Sequence, residues 1–444
     1  MCGLAELLHR RGYCVSGSDL HEGPTVARLR SLGVEVALGH RAEHVRDAHV
    51  VVFSSAVRPS NPELKEAEAR QIPIIPRAEM LAELMRMKQG VAVAGSHGKT
   101  TTTSLISHVL HAAGLDPTSV IGGRVLAANA EPTGARHGQG ELLVAEADES
   151  DGSFLRLSPV IAVVTNVDPE HLDHYGDYEH LEQAFVDFAN RVPFWGKAVL
   201  CLDHPGVQRI LPRMTRPFTS YGFSSQVDWR AVDVEPRGWG MTFSVQRAGE
   251  ALGRVLLNLP GRHNVQNALA TLAVAYELEI PFARAAESLA SFLGIERRFE
   301  NKGEARDVRV VDDYAHHPAE IRATLAAARS VHSGRLVVVF QPHRYTRTRD
   351  LFDDFATAFH DADWLAVTDI YAAGEDKLPG VDAASLSEAI QKHGHRSARY
   401  IGELETLPAV LEREVTGGDL VLTLGAGNIS QVGPQLLARL REKT

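Results

Sequence analysis

Short runs of β-branched and apolar residues alternate with longer helical stretches, and this alternation constrains the fold more than any other feature of the chain. The runs fall at 50–53, 91–94, 160–164, 336–340 and 420–424. Strands this uniformly apolar are buried on both faces, as in parallel sheets covered by helices. Several runs stop at Gly, Ser, Asn or Asp, as strands do when their carboxyl ends feed a ligand crevice. At 444 residues the chain is too long for one core. The reading is an α/β protein of three domains, each built on a mainly parallel sheet flanked by helices. They are expected at 1–88, 89–294 and 295–444, with a Met/Leu-rich helix near 80–87 closing the first. Residues 228–259 alternate in strand character and read as an antiparallel addition to the central unit.

A formal charge of −10 disfavours nucleic acid and anionic membranes as partners. It also means that phosphate-bearing substrates must be held by a few well-placed cations. Cys2, Cys14 and Cys201 are widely separated, lack metal-ligand spacing and cannot pair fully, which suits a reducing cytosol. No apolar run approaches the roughly 20 residues of a membrane helix, and no basic-then-apolar leader follows Met1. A cytoplasmic protein is expected.

Gly95-Ser96-His97-Gly98-Lys99-Thr100 follows the run at 91–94 and opens a helix that begins with Thr101. Glycines let backbone approach a phosphate, amides at a helix start point at the anion, and Lys99 adds a full charge. Thr100 is placed to ligate Mg²⁺. The spacing is shorter than the usual P-loop, because Val93 stands where the first glycine belongs. The bland alternative is a glycine-rich turn with a stray lysine.

Two further strand ends carry acids: Glu146-Ala147-Asp148-Glu149-Ser150-Asp151, and Asn166-Val167-Asp168-Pro169-Glu170-His171-Leu172-Asp173. Hard oxygen ligands suit Mg²⁺, whose charge offsets carboxylates that would otherwise repel. Such a pair of charges 4 Å apart is worth about 4 kcal/mol at an effective dielectric of 20. Away from a phosphate loop these acids would read as solvated.

Asn264 and Asn267 lie three apart on one face of a helix start, ahead of an Ala-rich stretch at 268–276, where amides can read a purine edge or merely cap the helix. Arg298 sits at the second domain boundary, within reach of a phosphate. Asp312-Asp313-Tyr314-Ala315-His316-His317-Pro318 ends one strand with acids and imidazoles. The stretch 341–349 ends another with Arg344, Arg347 and Arg349, which suits a carboxylate or phosphate; an exposed basic loop is the alternative.

Together these motifs resemble the Mur ligases, and their alanine-adding branch in particular. The match runs in order through 95–103, 146–155, 165–175, 261–267, 297–299, 312–318, 341–355, 369–375 and 424–427. The family's short loop reads Gly-Thr-His-Gly-Lys-Thr, with Ser96 replacing the Thr here. The resemblance implies a UDP-sugar domain, a central P-loop-like ATPase core, and a third domain that closes over ATP and the amino acid. It implies that ATP phosphorylates the lactoyl carboxylate of UDP-N-acetylmuramic acid and that L-alanine displaces phosphate from the acyl phosphate, in peptidoglycan precursor synthesis. ATP and Mg²⁺ are the implied cofactors, and a monomer or weak homo-oligomer is expected.

By the same resemblance Gly95, Ser96, His97, Gly98, Lys99, Thr100 and Thr101 hold phosphate, while Thr100, Glu146 and His171 hold the metal. Asn264 and Asn267 match the adenine contact, and Arg298, Asp313 and Tyr314 match nucleotide contacts from the closing domain. Tyr314, His316, Arg344 and Arg347 match the region receiving L-alanine. Lys99, Glu146, His171, His316, Arg344 and Arg347 form the implied catalytic set. In the first domain Asp19 can bind a ribose hydroxyl, and Ser55 follows the run at 50–53.

One departure stands out. The family opens on a strand and a Gly-Ile-Gly-Gly-Ala-Gly-Met loop, whereas Met1-Cys2-Gly3 matches only the end of that loop and the helix after it. Either the start lies at an internal Met, or the first domain binds the UDP-sugar poorly and is destabilised. Two other classes remain: an ATP-binding regulatory protein, and a dinucleotide oxidoreductase. ATP consumption without NAD(P) dependence separates them from a ligase.

Overall fold

A computed structural model describes residues 1–54, 57–127 and 130–442; Ser55 lies outside the described residues. The strands gather into one ten-stranded sheet, one six-stranded sheet and two separate parallel pairs near the N-terminus. The pairs are Ser16–Asp19 with Glu35–Leu38, and Val51–Phe53 with Ile74–Pro76.

Across the large sheet the strands run Glu250–Leu257, Gly240–Arg247, Trp229–Arg237, Phe218–Gly222, Lys197–Cys201, Ile161–Val164, Gln89–Ala94, Leu142–Glu146, Thr118–Ala127 and Ala130–Arg136. Its interior is parallel, and the stretch expected as an antiparallel addition forms an antiparallel meander at one edge. Gln89–Ala94 lies between Leu142–Glu146 and Ile161–Val164, with Val93 beside Glu146 and Ala94 beside Val164. Three carboxyl ends therefore meet at one crevice, as ligand sites in parallel sheets require. The buried Val and Ala residues of these strands leave their backbones no partner but one another, which holds the register.

One face of this sheet packs on helices Lys99–Ala112 and Arg262–Glu277. The other face is covered partly by helices from before the sheet begins. Leu4 and Leu7 of Cys2–Arg10, and Leu81, Leu84 and Met85 of Arg77–Arg86, share one apolar cluster with Ala92, Ala94 and Val164. The expected Met/Leu-rich helix thus packs into the central core.

The six-stranded sheet runs Glu300–Ala305, Val308–Asp313, Leu420–Leu424, Leu336–Phe340, Trp364–Thr368 and Ala398–Gly402; only its first pairing is antiparallel. Leu424 lies in register with both Asp313 and Phe340, so the loops after those strands share one edge. Trp239, at the tip of the hairpin joining Trp229–Arg237 to Gly240–Arg247, reaches this second body. Its ring lies 6.5 Å from Phe299 and 6.4 Å from His332, with the Arg309 guanidinium 4.1 Å above it.

Candidate active site

The phosphate loop bends where only glycine fits. Gly95 has φ +137°, and a Cβ there would lie 2.0 Å from Thr165 Oγ1; Gly98 has φ +80°. The neighbouring strand end clamps the loop. Thr165 Oγ1 and Asn166 Nδ2 donate to the His97 carbonyl at 2.6 and 3.0 Å, and the His97 amide donates to Asn166 Oδ1 at 2.7 Å. The Asp168 amide donates to Ser96 Oγ at 2.9 Å. Helix Lys99–Ala112 starts at Gly98 without a side-chain cap, as suits an anion at the helix start. The Lys99 ammonium donates to the Gly95 and Ser96 carbonyls at 2.6 and 3.2 Å and to Glu149 Oε1 at 2.8 Å.

Thr100 Oγ1 stands 3.0 and 3.1 Å from the two oxygens of Glu146, whose Oε2 also accepts from the Gly122 amide at 2.8 Å. His171 has φ +56°, a strained conformation for a non-glycine residue that the surrounding loop must hold in place. Its ring groups with Glu149 and Glu170, ligand atoms within 4.8 Å of one another. Glu146 is not part of that trio. Burial lowers the His171 pKa, which keeps an imidazole lone pair available. Glu149 is buried to 2%, and its Oε2 has no hydrogen-bond partner. Burial pushes this carboxyl up to about 7 against the pull of Lys99. Hard oxygens beside an unpartnered buried carboxylate oxygen fit a divalent cation such as Mg²⁺.

Helix Arg262–Glu277 begins where Gly261 takes φ +94° and ends the preceding loop. Asn264 and Asn267 are therefore inside the helix, and buried. Asn264 Nδ2 donates to the Pro260 carbonyl at 2.7 Å, Asn267 Nδ2 to Asn264 Oδ1 at 3.2 Å, and Thr102 Oγ1 to Asn267 Oδ1 at 3.1 Å. A Cβ on Gly98 would lie 2.9 Å from Asn267 Oδ1, so this amide backs the phosphate loop directly.

On the C-terminal side, Asp313 accepts from the Phe299 amide at 2.7 Å and the Ala315 amide at 2.8 Å. Burial pushes it up to about 6, opposed by Arg298. Arg297 and Arg298 each lie 5.0 Å from the Tyr314 ring centre. Arg297 at φ +60° and Phe299 at φ +49° give the junction between the sheets two left-handed residues. His316 Nδ1 is 3.0 Å from the Tyr314 carbonyl, and its ring meets His343 edge-on at 5.7 Å. His343 stacks on Tyr371 at 5.6 Å and lies 3.3 Å from Arg347 Nη1. Burial, with the neighbouring His316 and the Arg347 and Arg344 guanidiniums, lowers its pKa to about 4, leaving a neutral ring. Arg344, at φ +70°, opens the short helix Tyr345–Asp350.

The two halves touch through imidazoles and acids. His97 Nδ1 faces Glu320 Oε1 at 3.3 Å, His317 Nε2 faces Glu170 Oε1 at 3.3 Å, and the His97 and His317 rings lie 5.0 Å apart. Arg347 is close enough for its charge to act on His171. Glu149, Asp168, Glu170, His317, Glu320 and Tyr371 belong to this constellation; the sequence reading had the first four only within its strand-end motifs and did not single out Glu320 or Tyr371. Asp19 stands apart, exposed at the end of its parallel pair and accepting from the His21 amide at 3.1 Å.

Three family models match the chain in order. The Mur ligase family catalytic domain matches residues 1–89, the Mur ligase middle domain 93–275, and the Mur ligase glutamate ligase domain 297–427. A protein of Sorangium cellulosum named UDP-N-acetylmuramate–L-alanine ligase is 58% identical over 100% of this chain and 95% of its own length. One of the same name from Syntrophotalea carbinolica is 56% identical over 100% of this chain and 96% of its own. The crystal structure of a UDP-N-acetylmuramate-alanine ligase from Thermotoga maritima superposes with a TM-score of 0.84 at 28% identity, covering 100% of this chain and 97% of that one. With family models matching in order over most of its length and relatives 56–58% identical over nearly the whole of theirs, the chain belongs to the Mur ligase family.

Proposed function

We propose that this protein is an ATP-dependent ligase that forms an amide between the lactoyl carboxylate of UDP-N-acetylmuramic acid and L-alanine, in peptidoglycan precursor synthesis. The observation that carries the reading is the meeting of the Lys99 loop with the C-terminal sheet, where His97 Nδ1 lies 3.3 Å from Glu320 Oε1 and His317 Nε2 lies 3.3 Å from Glu170 Oε1. The relatives at 56–58% identity support the choice of substrates.

Phosphoryl transfer asks mainly for positioning and charge neutralisation. Lys99 and the loop 95–101 hold the transferring phosphate. Thr100 with Glu146 at one strand end, and His171 with Glu149 and Glu170 at the next, would hold Mg²⁺, which when bound offsets phosphate charge. Asn264 and Asn267 shape the adenine side, and Arg298, Asp313 and Tyr314 contact the nucleotide from the closing side. The lactoyl carboxylate oxygen takes the γ-phosphoryl group and ADP leaves. Arg344, Arg347 and His316 hold the alanine carboxylate while its amine attacks the acyl carbon and phosphate departs. Asp19 and Ser55 serve the UDP-sugar. The domains are assigned to 1–88, 89–294 and 295–444, in a cytoplasmic monomer or weak homo-oligomer.

The test is phosphate release from ATP with UDP-N-acetylmuramic acid, with and without L-alanine. Release that requires both substrates is the expected result. No release with both present, on a folded chain supplied with Mg²⁺, overturns the reading.

A further inference from the structure

Glu320 stands at the third position of helix Pro318–Val331 and uses its two oxygens in two directions. Oε2 stays within its own body, accepting from the His316 and His317 amides at 3.1 and 3.2 Å and facing His316 Nδ1 at 3.2 Å. Oε1 points across the cleft to His97 Nδ1, 3.3 Å away in the phosphate loop. A capping box needs only the first set of contacts. The carboxylate is only 15% exposed, a position that is costly for an anion unless cations answer it. The His97 ring from across the cleft and the His316 ring from its own side both face it.

His97 is a suitable reporter of the loop. Its amide and carbonyl are both pinned by Asn166, and its Nε2 faces Asp168 Oδ2 at 3.4 Å, near enough for an ion pair but too poorly aligned for a hydrogen bond. A shift of the loop therefore moves the ring that Glu320 grips. His316 is held by the same carboxylate from the other side.

We propose that Glu320 is a positioning residue that couples closure of the C-terminal sheet over the phosphate loop to the orientation of His316 in the amino-acid pocket. The proposal rests on the ligase reading above, in which His316 faces L-alanine. Its consequence is ordered assembly: the alanine site is complete only when the His97–Glu320 contact has formed.

The test compares the wild type, Glu320→Gln, His97→Gln and the double variant, each as the full chain. Kinetic constants are measured for ATP and for L-alanine, alongside the melting temperature. Glutamine at this position keeps the capping box but loses the charge. Coupling predicts that Glu320→Gln raises the KM for L-alanine by about tenfold or more while the KM for ATP holds. It also predicts that adding His97→Gln costs little more, because one contact is already broken. Wild-type kinetics in Glu320→Gln, or losses that add in the double variant, overturn the proposal. So does a fall of every parameter together with the melting temperature, which would mark a purely structural cap. A wild type that releases no phosphate with both substrates sinks the ligase reading itself, a separate result from wild-type turnover matched by the variant.

Discussion

Lys99 Nζ and Glu149 Oε1 are 2.8 Å apart, in a pair whose carboxylate is 2% exposed. The ammonium also donates to the Gly95 and Ser96 carbonyls, so its three hydrogens are all engaged. An incoming phosphate must take Lys99 over from these partners. The phosphate loop is thus held shaped and charged before any nucleotide arrives, which is how positioning by a fixed cation is prepared.

Lys99→Ala is expected to abolish turnover and also to strand Glu149. Removing one partner of a buried pair costs about 3–5 kcal/mol. Because burial holds the Glu149 carboxyl up to about 7, above its ordinary value, the folded state binds this proton more tightly than the unfolded chain. Without Lys99, whose charge pulls this value down, the carboxyl rises further still, so stability in the variant falls as pH climbs from the usual carboxylate range past about 7. Melting of Lys99→Ala should be markedly lower at pH about 8 than at pH about 6 relative to wild type. Adding Glu149→Gln should remove that difference. A Lys99→Ala profile parallel to wild type would show that Glu149 is not stranded.

Gly122→Ala tests Glu146 without touching it. Gly122 is exposed, yet a Cβ there would lie 2.7 Å from Glu146 Oε2, the oxygen to which its own amide donates at 2.8 Å. The carboxylate must swing away from Thr100. A displacement of about 1 Å at a reacting centre can cost about 100-fold in rate. The expected outcome is a large fall in kcat and a higher Mg²⁺ requirement at nearly unchanged melting temperature. An unaltered Mg²⁺ titration would remove Glu146 from the cation site.

How far the sequence showed all this depends on how local each feature is. The phosphate loop was legible because Gly95 to Thr100 carry its geometry and charge in six consecutive positions. Glu146 and His171 were legible as acid and imidazole at strand ends, but not their separation into different clusters. That separation follows from Gln89–Ala94 inserting between two strands that come later in the chain. Asn264 and Asn267 were legible as a helix start, but their burial against Thr102 and Gly98 of the phosphate loop was not, because those contacts join distant parts of the chain. The His97–Glu320 contact joins residues 223 apart, and no pattern of spacing announces such a pair. The packing of helix Arg77–Arg86 into the central core was likewise a long-range outcome.

Trp239 offers a contact between the two sheets that involves no proposed substrate group. Its ring sits among Phe299, His332 and Arg309, so Trp239→Ala removes apolar area and a cation–π contact together. The central sheet should stay folded, while the C-terminal body becomes freer to move at 295–299. Faster limited proteolysis at that junction and a raised KM for both ATP and L-alanine are expected. Wild-type proteolysis with wild-type kinetics would show the hairpin tip to be passive.

His97 sets a pH dependence of the opposite cause. Burial works against its charge, but the carboxylates of Asp168 and Glu320 win and raise its pKa to about 10. The unfolded imidazole titrates near about 6.5. A group whose folded pKa is raised contributes stability that is complete below the unfolded value and is lost as pH climbs through the folded one. The contact between the sheets should accordingly weaken between pH about 6.5 and about 10, with no loss from His97 on the acid side. Glu320 adds none in that window, since against burial His316 and His97 hold it well below the carboxylate range and it stays ionised. Melting curves of the nucleotide-free chain should fall with rising pH in wild type and flatten in His97→Gln. Equal slopes in the two proteins would mean that His97 is neutral in the folded chain and that Asp168 and Glu320 are held by backbone amides and neighbouring rings alone.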